Sequence, residues 1–427
     1  MNEIGQKLRG GQFAVWLVSE YQSINFTLAA RVQGSFTLDQ FRLALNKLQH
    51  KYPPITMRLK RGSSRSVYII ADPGLEIPIR IVDREHTESW VEEVTRELGQ
   101  VFDLYNSVPI RLVWLRGESV SEIIFTCPHA MADGLSVAYL VRDFLMFLGN
   151  PDSDSEPMRP IPAMSEILPE FAGKQIIIWQ SRLKSALMRI FLKFGAKPEI
   201  PMKKQGDYCL FAWELTPQQT AALVIRSRAE KTTVHAALST AFLRAFGELK
   251  GDGWKRKLQS PVDLRKRLNS PVGEAFGLFV NLAEIEVNCS PKRDFWEVAR
   301  DIKQTFIQLT KDKNIFRSLI EANIMMDAIG PSVSPETVAS SFMTVAYDLS
   351  ITNLGRLVFP TQSGPLHLDA LYGPSLGGNP EDIVLGVNTI GEKMHFTLSF
   401  TSLKLNASQA QQIRETAMSW LERATGW

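Results

Sequence analysis

The sequence predicts an α+β protein of two lobes, each a mixed β-sheet covered by helices. Its 427 residues exceed the roughly 250–300 residues at which one hydrophobic core usually stops growing. Strand-like and helix-like segments are intermixed in both halves, which favours mixed sheets. Four prolines from Pro151 to Pro162 interrupt the apolar pattern, as at a lobe boundary. We therefore predict an N-terminal lobe at residues 1–150, a linker with a crossover helix at 151–204, and a C-terminal lobe at 205–427.

The individual elements follow from apolar periodicity and from capping signals. Alternating β-branched and aromatic residues predict strands at 24–32, 67–70, 110–114, 122–127, 208–215, 278–287, 347–352, 383–387 and 395–400. Apolar residues at helical spacing predict helices at 88–98, 135–148, 175–194, 234–249, 294–309 and 407–424. Two further helices are expected to start at capping boxes, at residues 37–40 and at residues 216–219.

Composition excludes several classes of protein. The net charge of +3, from 48 basic and 45 acidic residues, gives no long-range field that would recruit nucleic acid. Residues 1–7 lack the apolar core of a signal peptide, and no uncharged apolar run reaches about 18 residues, so we expect a cytoplasmic protein. The three cysteines Cys127, Cys209 and Cys289 are too far apart along the chain to indicate a disulfide framework or a zinc site.

The linker contains a strongly basic segment. Residues 174–204 carry eight basic residues and one acidic residue, Glu199. A basic helix of this kind could lie on an anionic membrane surface or receive an acidic carrier protein. It could equally be a crossover helix packed between the lobes with its lysines in water.

The first candidate for chemistry is a histidine at the end of a predicted strand. His129 follows the apolar segment 123–127 and Pro128, and an apolar helix is predicted to start at Gly134. Functional residues gather in such connections. Imidazole titrates nearest to neutral pH, so His129 could serve as a general base. The alternative is an ordinary loop histidine whose hydrogen bonds are satisfied.

The segment around His129 resembles the HxxxDG active-site motif of the thioester-dependent acyltransferase superfamily. This superfamily includes chloramphenicol acetyltransferase, plant alcohol acyltransferases, polyketide-associated acyltransferases, wax ester synthases and the condensation domains of nonribosomal peptide synthetases. Other segments match in the expected order, namely residues 102–104 with 109–111, residues 261–265, residues 277–281 and residues 350–355. The resemblance therefore covers nearly the whole chain.

Two departures narrow the branch of the superfamily. Pro128 precedes His129, where condensation domains usually carry a second histidine, and the Asp-Phe-Gly-Trp-Gly motif of plant alcohol acyltransferases is missing. Residues 231–238 look nearest to the stand-alone bacterial polyketide-associated or alcohol O-acyltransferases. That resemblance implies two chloramphenicol-acetyltransferase-like lobes with an active-site tunnel at their interface. It implies no permanently bound cofactor and no metal, with acyl-CoA or a phosphopantetheinyl carrier protein as donor and a hydrophobic alcohol as acceptor.

The resemblance also implies roles for residues near the motif. His129 would act alone as the base for direct attack on a thioester. Asp133 would pair with Arg265 and hold the loop in shape, although it could also cap the helix that follows. Gly134 would admit a pantetheine arm, unless it serves only the geometry of the helix start.

Three polar residues near the other end of the chain are candidates for binding the substrate or the oxyanion. They are Ser350, Thr352 and Asn353, and Ser350 and Thr352 would share one face of a strand. Ordinary sheet packing would explain them as well.

Other functions compete with O-acylation. The same motif could form amides on carrier-bound substrates, or a non-catalytic relative could bind carrier proteins or lipids. The sequence offers no Gly-x-Ser-x-Gly elbow, zinc motif or phosphate-binding glycine loop. We assign no catalytic role to the remaining histidines, His50, His86, His235, His367 and His395.

Overall fold

A computed structural model of the protein describes residues 5–63, 66–72, 74–162, 164–173, 182, 207–329, 347–375 and 382–427. The strands are β1 Gln6–Lys7, β2 Asn25–Gln33, β3 Met57–Arg61, β4 Val67–Ala71, β5 Ile79–Asp83, β6 Arg111–Arg116, β7 Val120–Pro128, β8 Tyr208–Leu215, β9 Lys255–Asp263, β10 Val280–Asn288, β11 Leu349–Leu357, β12 Gln362–Ser363, β13 Leu366–Tyr372, β14 Val384–Ile390 and β15 Lys393–Thr401. The helices are α1 Gly10–Ser19, α2 Leu38–Lys51, α3 Ser89–Gly99, α4 Gly134–Gly149, α5 Met164–Ile167, α6 Pro217–Ala229, α7 Val234–Lys250, α8 Phe295–Leu309, α9 Asp312–Ile329 and α10 Ala407–Thr425.

The predicted α+β architecture is confirmed. Each predicted strand overlaps an observed strand, and each predicted helix within the described ranges is observed. Both capping boxes are formed, at Thr37 with Gln40 and at Thr216 with Gln219. The predicted helix at 175–194 and the basic segment 174–204 lie outside the described residues, apart from Arg182. Within the described ranges, every helix is too short or too polar to cross a lipid bilayer.

The first sheet has six strands in the order β12-β13-β2-β7-β6-β5. Neighbouring strands are antiparallel except for the parallel pair β5 and β6. Helices α2 and α4 cover one face, where Phe41 and Phe125 both pack edge-on against Phe144. Burial of such aromatic side chains contributes much of the stability of a core.

The second sheet also has six strands, in the order β10-β9-β11-β14-β15-β8. Strand β11 runs parallel to β9 and β14, and the other pairs are antiparallel. Buried residues of α7 and α10, including Phe242 and Ile413, pack with Phe396 of β15 in one apolar cluster. A smaller sheet of three strands, β1-β4-β3, lies beside the first sheet.

The second half of the chain adds two strands to the first sheet, which the sequence did not predict. Strands β12 and β13 fall inside the range 205–427 but belong to the first sheet, where β13 pairs with β2. Leu357, at the end of β11, is also buried in the core of the first half. A boundary at residue 205 therefore does not separate the two sheets, and the division into lobes at the linker stays a prediction.

A second contact between the halves lies on the other face of the first sheet. Helix α3 packs there, and its Trp90 stacks on Tyr372 with ring centroids 4.7 Å apart. Leu210 of β8 is buried in the same cluster as Ile124 of β7. An edge strand of the second sheet is thus packed against α3 and the first sheet, so the two sheets are held in one arrangement.

Substitution of Gly149 should test the packing of β12 against α4. A Cβ at Gly149 would lie 1.9 Å from the carbonyl oxygen of Ser363 in β12, and a backbone atom cannot move aside without shifting the strand. We expect Gly149→Ala to lower the free energy of unfolding by about 1–3 kcal/mol, as overpacking usually does. Urea denaturation followed by tryptophan fluorescence would measure the loss.

Gly11 in α1 provides the matched control. A Cβ there meets no atom within 4 Å, and alanine is preferred to glycine inside a helix by up to about 1 kcal/mol. Gly11→Ala should therefore be neutral or stabilising. A Gly149→Ala protein as stable as the wild type would mean that β12 does not pack against α4.

Candidate active site

His129 lies immediately after β7, at the end of the strand that pairs with β2. Its backbone N–H donates to the carbonyl oxygen of Ile24 at 3.0 Å. The imidazole stacks on Phe26 of β2, with ring centroids 4.4 Å apart. Its Nε2 is 3.1 Å from the hydroxyl oxygen of Ser375, which follows β13. The ring is thus packed against Phe26 of the first sheet, and its Nε2 faces Ser375 from the second half of the chain.

The surroundings of His129 favour the neutral imidazole. His129 is partly buried, and the loss of water around the ring lowers the pKa of His129 from 6.5 to about 4. A hydrogen bond with the backbone of Ala132 and the charge of Asp133 act in the opposite direction but do not cancel the effect of burial. A neutral imidazole at pH 7 has a nitrogen lone pair available to accept a proton.

Asp133 caps α4 and at the same time forms a buried ion pair. Its Oδ1 accepts the backbone N–H of Ser136 at 2.9 Å and the Nη2 of Arg265 at 2.8 Å. Its Oδ2 accepts the backbone N–H of Phe279 at 2.8 Å. The two alternatives for Asp133, helix cap and ion pair, are therefore both realised. Within the described part of the chain, the carboxylate of Asp133 accepts hydrogen bonds from Ser136, Arg265 and Phe279, and His129 is not among these partners.

Arg265, the partner of Asp133 in this ion pair, is also buried. The side chain of Arg265 is 4% exposed and that of Asp133 is 3% exposed. Burial opposes the charge on Arg265, but the carboxylates of Asp133 and Asp263 outweigh it, and the pKa of Arg265 is raised. The guanidinium carbon also lies 4.8 Å from the centre of the Phe279 ring, a cation–π arrangement.

The segment 277–281, matched in the sequence, supplies backbone groups to this cluster in addition to the ring of Phe279. The carbonyl oxygen of Gly277 accepts the backbone N–H of Asp133 at 3.1 Å and the hydroxyl of Ser136 at 2.8 Å. Ser136 also accepts from Arg265 at 2.8 Å. The loop before β10 is therefore fastened to the start of α4 by hydrogen bonds to two residues, Asp133 and Ser136.

Gly134 lies against β11 of the second sheet. A Cβ at Gly134 would be 3.0 Å from Cδ2 of Leu354, so the absence of a side chain leaves room for Leu354. The approach of a pantetheine arm at Gly134 stays a prediction, as does the alternative that the glycine serves only the geometry of the helix start.

The three polar candidates on β11 have different surroundings. Ser350 and Thr352 lie on the same face of the strand as Leu354, because alternate residues of a strand point the same way. The hydroxyl of Ser350 is 3.4 Å from Oε1 of Gln259. Asn353 instead uses its Oδ1 to accept the backbone N–H of Gly355 at 2.8 Å. Asn353 thus shapes the irregular end of β11, and a role of Ser350, Thr352 or Asn353 in binding the substrate or the oxyanion stays a prediction.

The other histidines have surroundings consistent with packing roles. His235 has its Nε2 3.1 Å from the hydroxyl of Ser260, within the second half. His395 is 1% exposed and contacts the ring of Tyr372 edge-on. Burial lowers the pKa of both His235 and His395 to about 4. Among the described residues, no three potential metal ligands come together.

Comparison with known proteins indicates the same class of enzyme as the motifs, namely acyltransferases. Residues 211–370 match the family model "Phthiocerol/phthiodiolone dimycocerosyl transferase C-terminus". The chain is 24% identical over 369 residues to phthiocerol/phthiodiolone dimycocerosyl transferase of Mycobacterium ulcerans, covering 80% of this chain and 82% of that protein.

Two solved structures show the same fold over nearly the whole chain. Polyketide synthase associated protein 5 from Mycobacterium tuberculosis superposes with a TM-score of 0.67 at 16% identity, covering 99% of both chains. Trichothecene 15-O-acetyltransferase from Fusarium sporotrichioides superposes with a TM-score of 0.72 at 12% identity, covering 98% of this chain and 94% of that chain.

The chain is an acyltransferase, and its sequence and fold are similar to those of proteins in the superfamily that its motifs resemble. Its site also contains residues that no sequence pattern indicated. Ser136 and Ser375 stand in segments without a recognisable motif, and Phe26 reads as an ordinary strand residue. The hydroxyl of Ser136 contacts Gly277 and that of Ser375 contacts His129, each more than a hundred positions away. Phe26 lies about as far from His129 along the chain, so only the folded acyltransferase brings these residues together.

Removal of Asp133 should destabilise the acyltransferase strongly. Asp133→Ala would leave Arg265 buried without its nearest carboxylate, and breaking a buried pair typically costs about 3–5 kcal/mol. Replacing both residues, as in Asp133→Ala with Arg265→Met, should restore part of that loss because no buried charge remains unpaired. Urea denaturation of the two single variants and the double variant would measure this coupling.

Asp83 and Arg116 give the control pair. Their oxygen and nitrogen lie 2.7 Å apart, but the side chains of Arg116 and Asp83 are 55% and 74% exposed. Asp83→Ala should cost at most about 1 kcal/mol, as exposed pairs do. Equal losses for Asp83→Ala and Asp133→Ala would contradict the importance of burial at the motif.

Proposed function

We propose that the protein transfers an acyl group from the thioester of coenzyme A or of an acyl carrier protein to an alcohol, with His129 as general base. The observation that carries this proposal is the position of His129 Nε2, which already faces a hydroxyl group at 3.1 Å. That distance and that partner are what a base needs in order to take a proton from an alcohol.

The tautomer of His129 follows from its hydrogen bonds. The bond to the backbone of Ala132 raises the pKa of the ring, so it stabilises the protonated nitrogen. A backbone group that does so is a carbonyl oxygen, which accepts a ring N–H. Because Nε2 faces Ser375, we assign the proton to Nδ1 and the lone pair to Nε2.

Direct transfer then needs no covalent enzyme intermediate. The acceptor hydroxyl gives its proton to Nε2 while its oxygen attacks the thioester carbonyl carbon. The tetrahedral adduct collapses, the carbon–sulfur bond breaks, and the thiolate takes the proton back from Nε2. A single histidine can therefore serve as base and then as acid.

Asp133 and its neighbours act as positioning groups in this proposal. Both carboxylate oxygens of Asp133 are hydrogen-bonded to Ser136, Arg265 or Phe279, so the carboxylate is not placed to relay a proton. Its role is to fix the loop between β7 and α4. Ser350 and Thr352 remain candidates for donating to the oxyanion, where one well-aimed donor is worth about 2.7–4 kcal/mol.

The nature of the acceptor is suggested by the apolar residues of the site. Phe26 stacks on His129, and Leu354 lies against Gly134. These side chains suit a hydrophobic alcohol. The relative from Mycobacterium ulcerans is named for transfer of a mycocerosyl group, which supports a lipid-like substrate. Contact of the segment 174–204 with a membrane surface or a carrier protein stays part of the proposal.

Release of thiol in the presence of an alcohol tests the proposed function. The protein would be incubated with thioesters of coenzyme A of several chain lengths and with a set of alcohols and amines, and free thiol would be followed with a colorimetric reagent. We expect His129→Ala to lower the rate at least about a hundredfold, as loss of a general base does. Products would be identified by mass spectrometry as esters or amides.

His50 provides the matched control histidine. It lies exposed at the end of α2, and His50→Ala should retain the rate of the wild type. Equal rates for His129→Ala and the wild type would refute the catalytic assignment. Amides formed faster than esters would replace O-acylation by the condensation reaction.

The dependence of the rate on pH provides a separate test of the base. The pKa of His129 is lowered to about 4, and protonation removes the lone pair that the reaction needs. We therefore expect kcat/KM to stay level as the pH falls from 8 to about 5 and to decrease only near pH 4. A half-maximal rate near pH 6.5 would show that the imidazole titrates as an ordinary exposed histidine.

Folding must be followed in parallel because the acid range also affects stability. His129, His235 and His395 all have lowered pKa values when folded, so below pH 6.5 the unfolded chain binds more protons than the folded chain. Their contribution to stability is complete above that pH and is lost as the pH falls towards 4. Circular dichroism at each pH would separate unfolding from protonation of the base.

A further inference from the structure

Ser375 is held beside Nε2 of His129 by backbone contacts between β2 and the segment that follows β13. The carbonyl oxygen of Pro374 accepts the backbone N–H of Thr27 at 2.9 Å, and Ser375 itself forms an isolated bridge with Phe26. The residue is therefore anchored to β2 next to the ring that stacks on His129. Its hydroxyl oxygen lies 3.1 Å from Nε2.

This arrangement meets the geometric requirement for an activated serine. A serine becomes a nucleophile when its hydroxyl lies about 2.6–3.2 Å from a base that a third group orients. Here His129 is the base, and the backbone of Ala132 and the ring of Phe26 orient it. With the proton on Nδ1, the Ser375 hydroxyl is the donor and Nε2 is the acceptor.

We infer that Ser375 is itself an acyl acceptor: with no alcohol bound, it takes the acyl group from the thioester and forms an ester on the enzyme. The inference rests on the proposed function, because it uses the same base and the same donor. A donor carbonyl placed within reach of an oxygen bound at Nε2 is also within reach of Oγ of Ser375. The serine hydroxyl occupies the position that the proposed function requires of the acceptor hydroxyl.

The atoms of this step balance without a further reactant. The Ser375 hydroxyl gives its proton to Nε2, its Oγ forms a bond to the acyl carbon, and the carbon–sulfur bond breaks. The leaving thiolate takes the proton from Nε2. The products are an acyl ester on Ser375 and a free thiol. An alcohol that enters later can attack this ester by the same proton transfers and regenerate the serine.

The second half of the chain contains a comparable pair that serves as a control. The hydroxyl of Ser260 also lies 3.1 Å from the Nε2 of a partly buried histidine, His235. Ser260 is 3% exposed and belongs to β9 of the second sheet. Acylation governed by the proposed site should modify Ser375 and leave Ser260 unmodified.

Intact-protein mass spectrometry without an alcohol tests the inference. The full chain would be incubated with octanoyl-CoA or with the octanoyl thioester of N-acetylcysteamine, which carries the end of the pantetheine arm common to coenzyme A and carrier proteins. After an acid quench, we expect one octanoyl group per chain, mapped to Ser375 by tandem mass spectrometry. Thiol release should show a matching burst of one equivalent, and added alcohol should remove the adduct.

Four variants distinguish acylation of Ser375 from acylation elsewhere on the chain. His129→Ala and Ser375→Ala should form no adduct, whereas Ser260→Ala should form it as the wild type does. Ser375→Cys, which keeps a nucleophile at the same position, should carry the acyl group as a thioester that neutral hydroxylamine removes. Circular dichroism would show that each variant is folded.

Three results would overturn the inference. An alcohol-dependent, His129-dependent transfer without any adduct on Ser375 would leave the proposed function standing and reject acylation of the serine. An adduct that survives in His129→Ala, or that maps to Ser260, would show acylation unrelated to the proposed base. Neither adduct nor transfer with either donor would reject both proposals together.

Discussion

The buried ion pair between Asp133 and Arg265 is the contact on which the geometry of the site depends. Two charges this deeply enclosed are stable only when further hydrogen bonds satisfy them. The structure supplies these from the cap of α4, from Ser136 and from the backbone of Phe279. Because Asp133 belongs to the first half of the chain and Arg265 to the second, the pair that shapes the His129 loop also joins the two halves there.

The addition of β12 and β13 to the first sheet also brings residues of the second half close to His129. Strands β12 and β13 extend the first sheet, and the chain that leaves β13 passes β2 before it reaches Ser375. Leu354 fills the space beside Gly134. The surroundings of His129 are therefore built from both halves, and a rigid arrangement of reactive groups is what catalysis by positioning requires. A loop anchored from one side only would not hold Nε2 and a hydroxyl at hydrogen-bonding distance.

Enclosure and chemistry are coupled at His129. Partial burial makes the charged imidazolium unfavourable and so favours the neutral form that the proposed base needs in order to accept a proton. The same enclosure gives the site an apolar wall at Phe26. In such surroundings a proton taken from a hydroxyl is returned quickly to a leaving group, since a buried positive charge is costly. Under the proposed mechanism, this gives a physical reason why one histidine could serve in both steps.

The sequence by itself determined the elements and the motif. Apolar periodicity and capping residues give local signals, so the strands, the helices and the position of His129 after β7 could be predicted, and the superfamily followed from matched segments. Only the tertiary structure decided which residues surround His129. Asp133 is both cap and ion-pair partner. The segment 277–281 contributes backbone groups and the ring of Phe279, and Ser375 reaches Nε2 from 246 positions away. Contacts between residues so far apart leave no local pattern, because they are set by how the two sheets pack and by the addition of β12 and β13 to the first sheet.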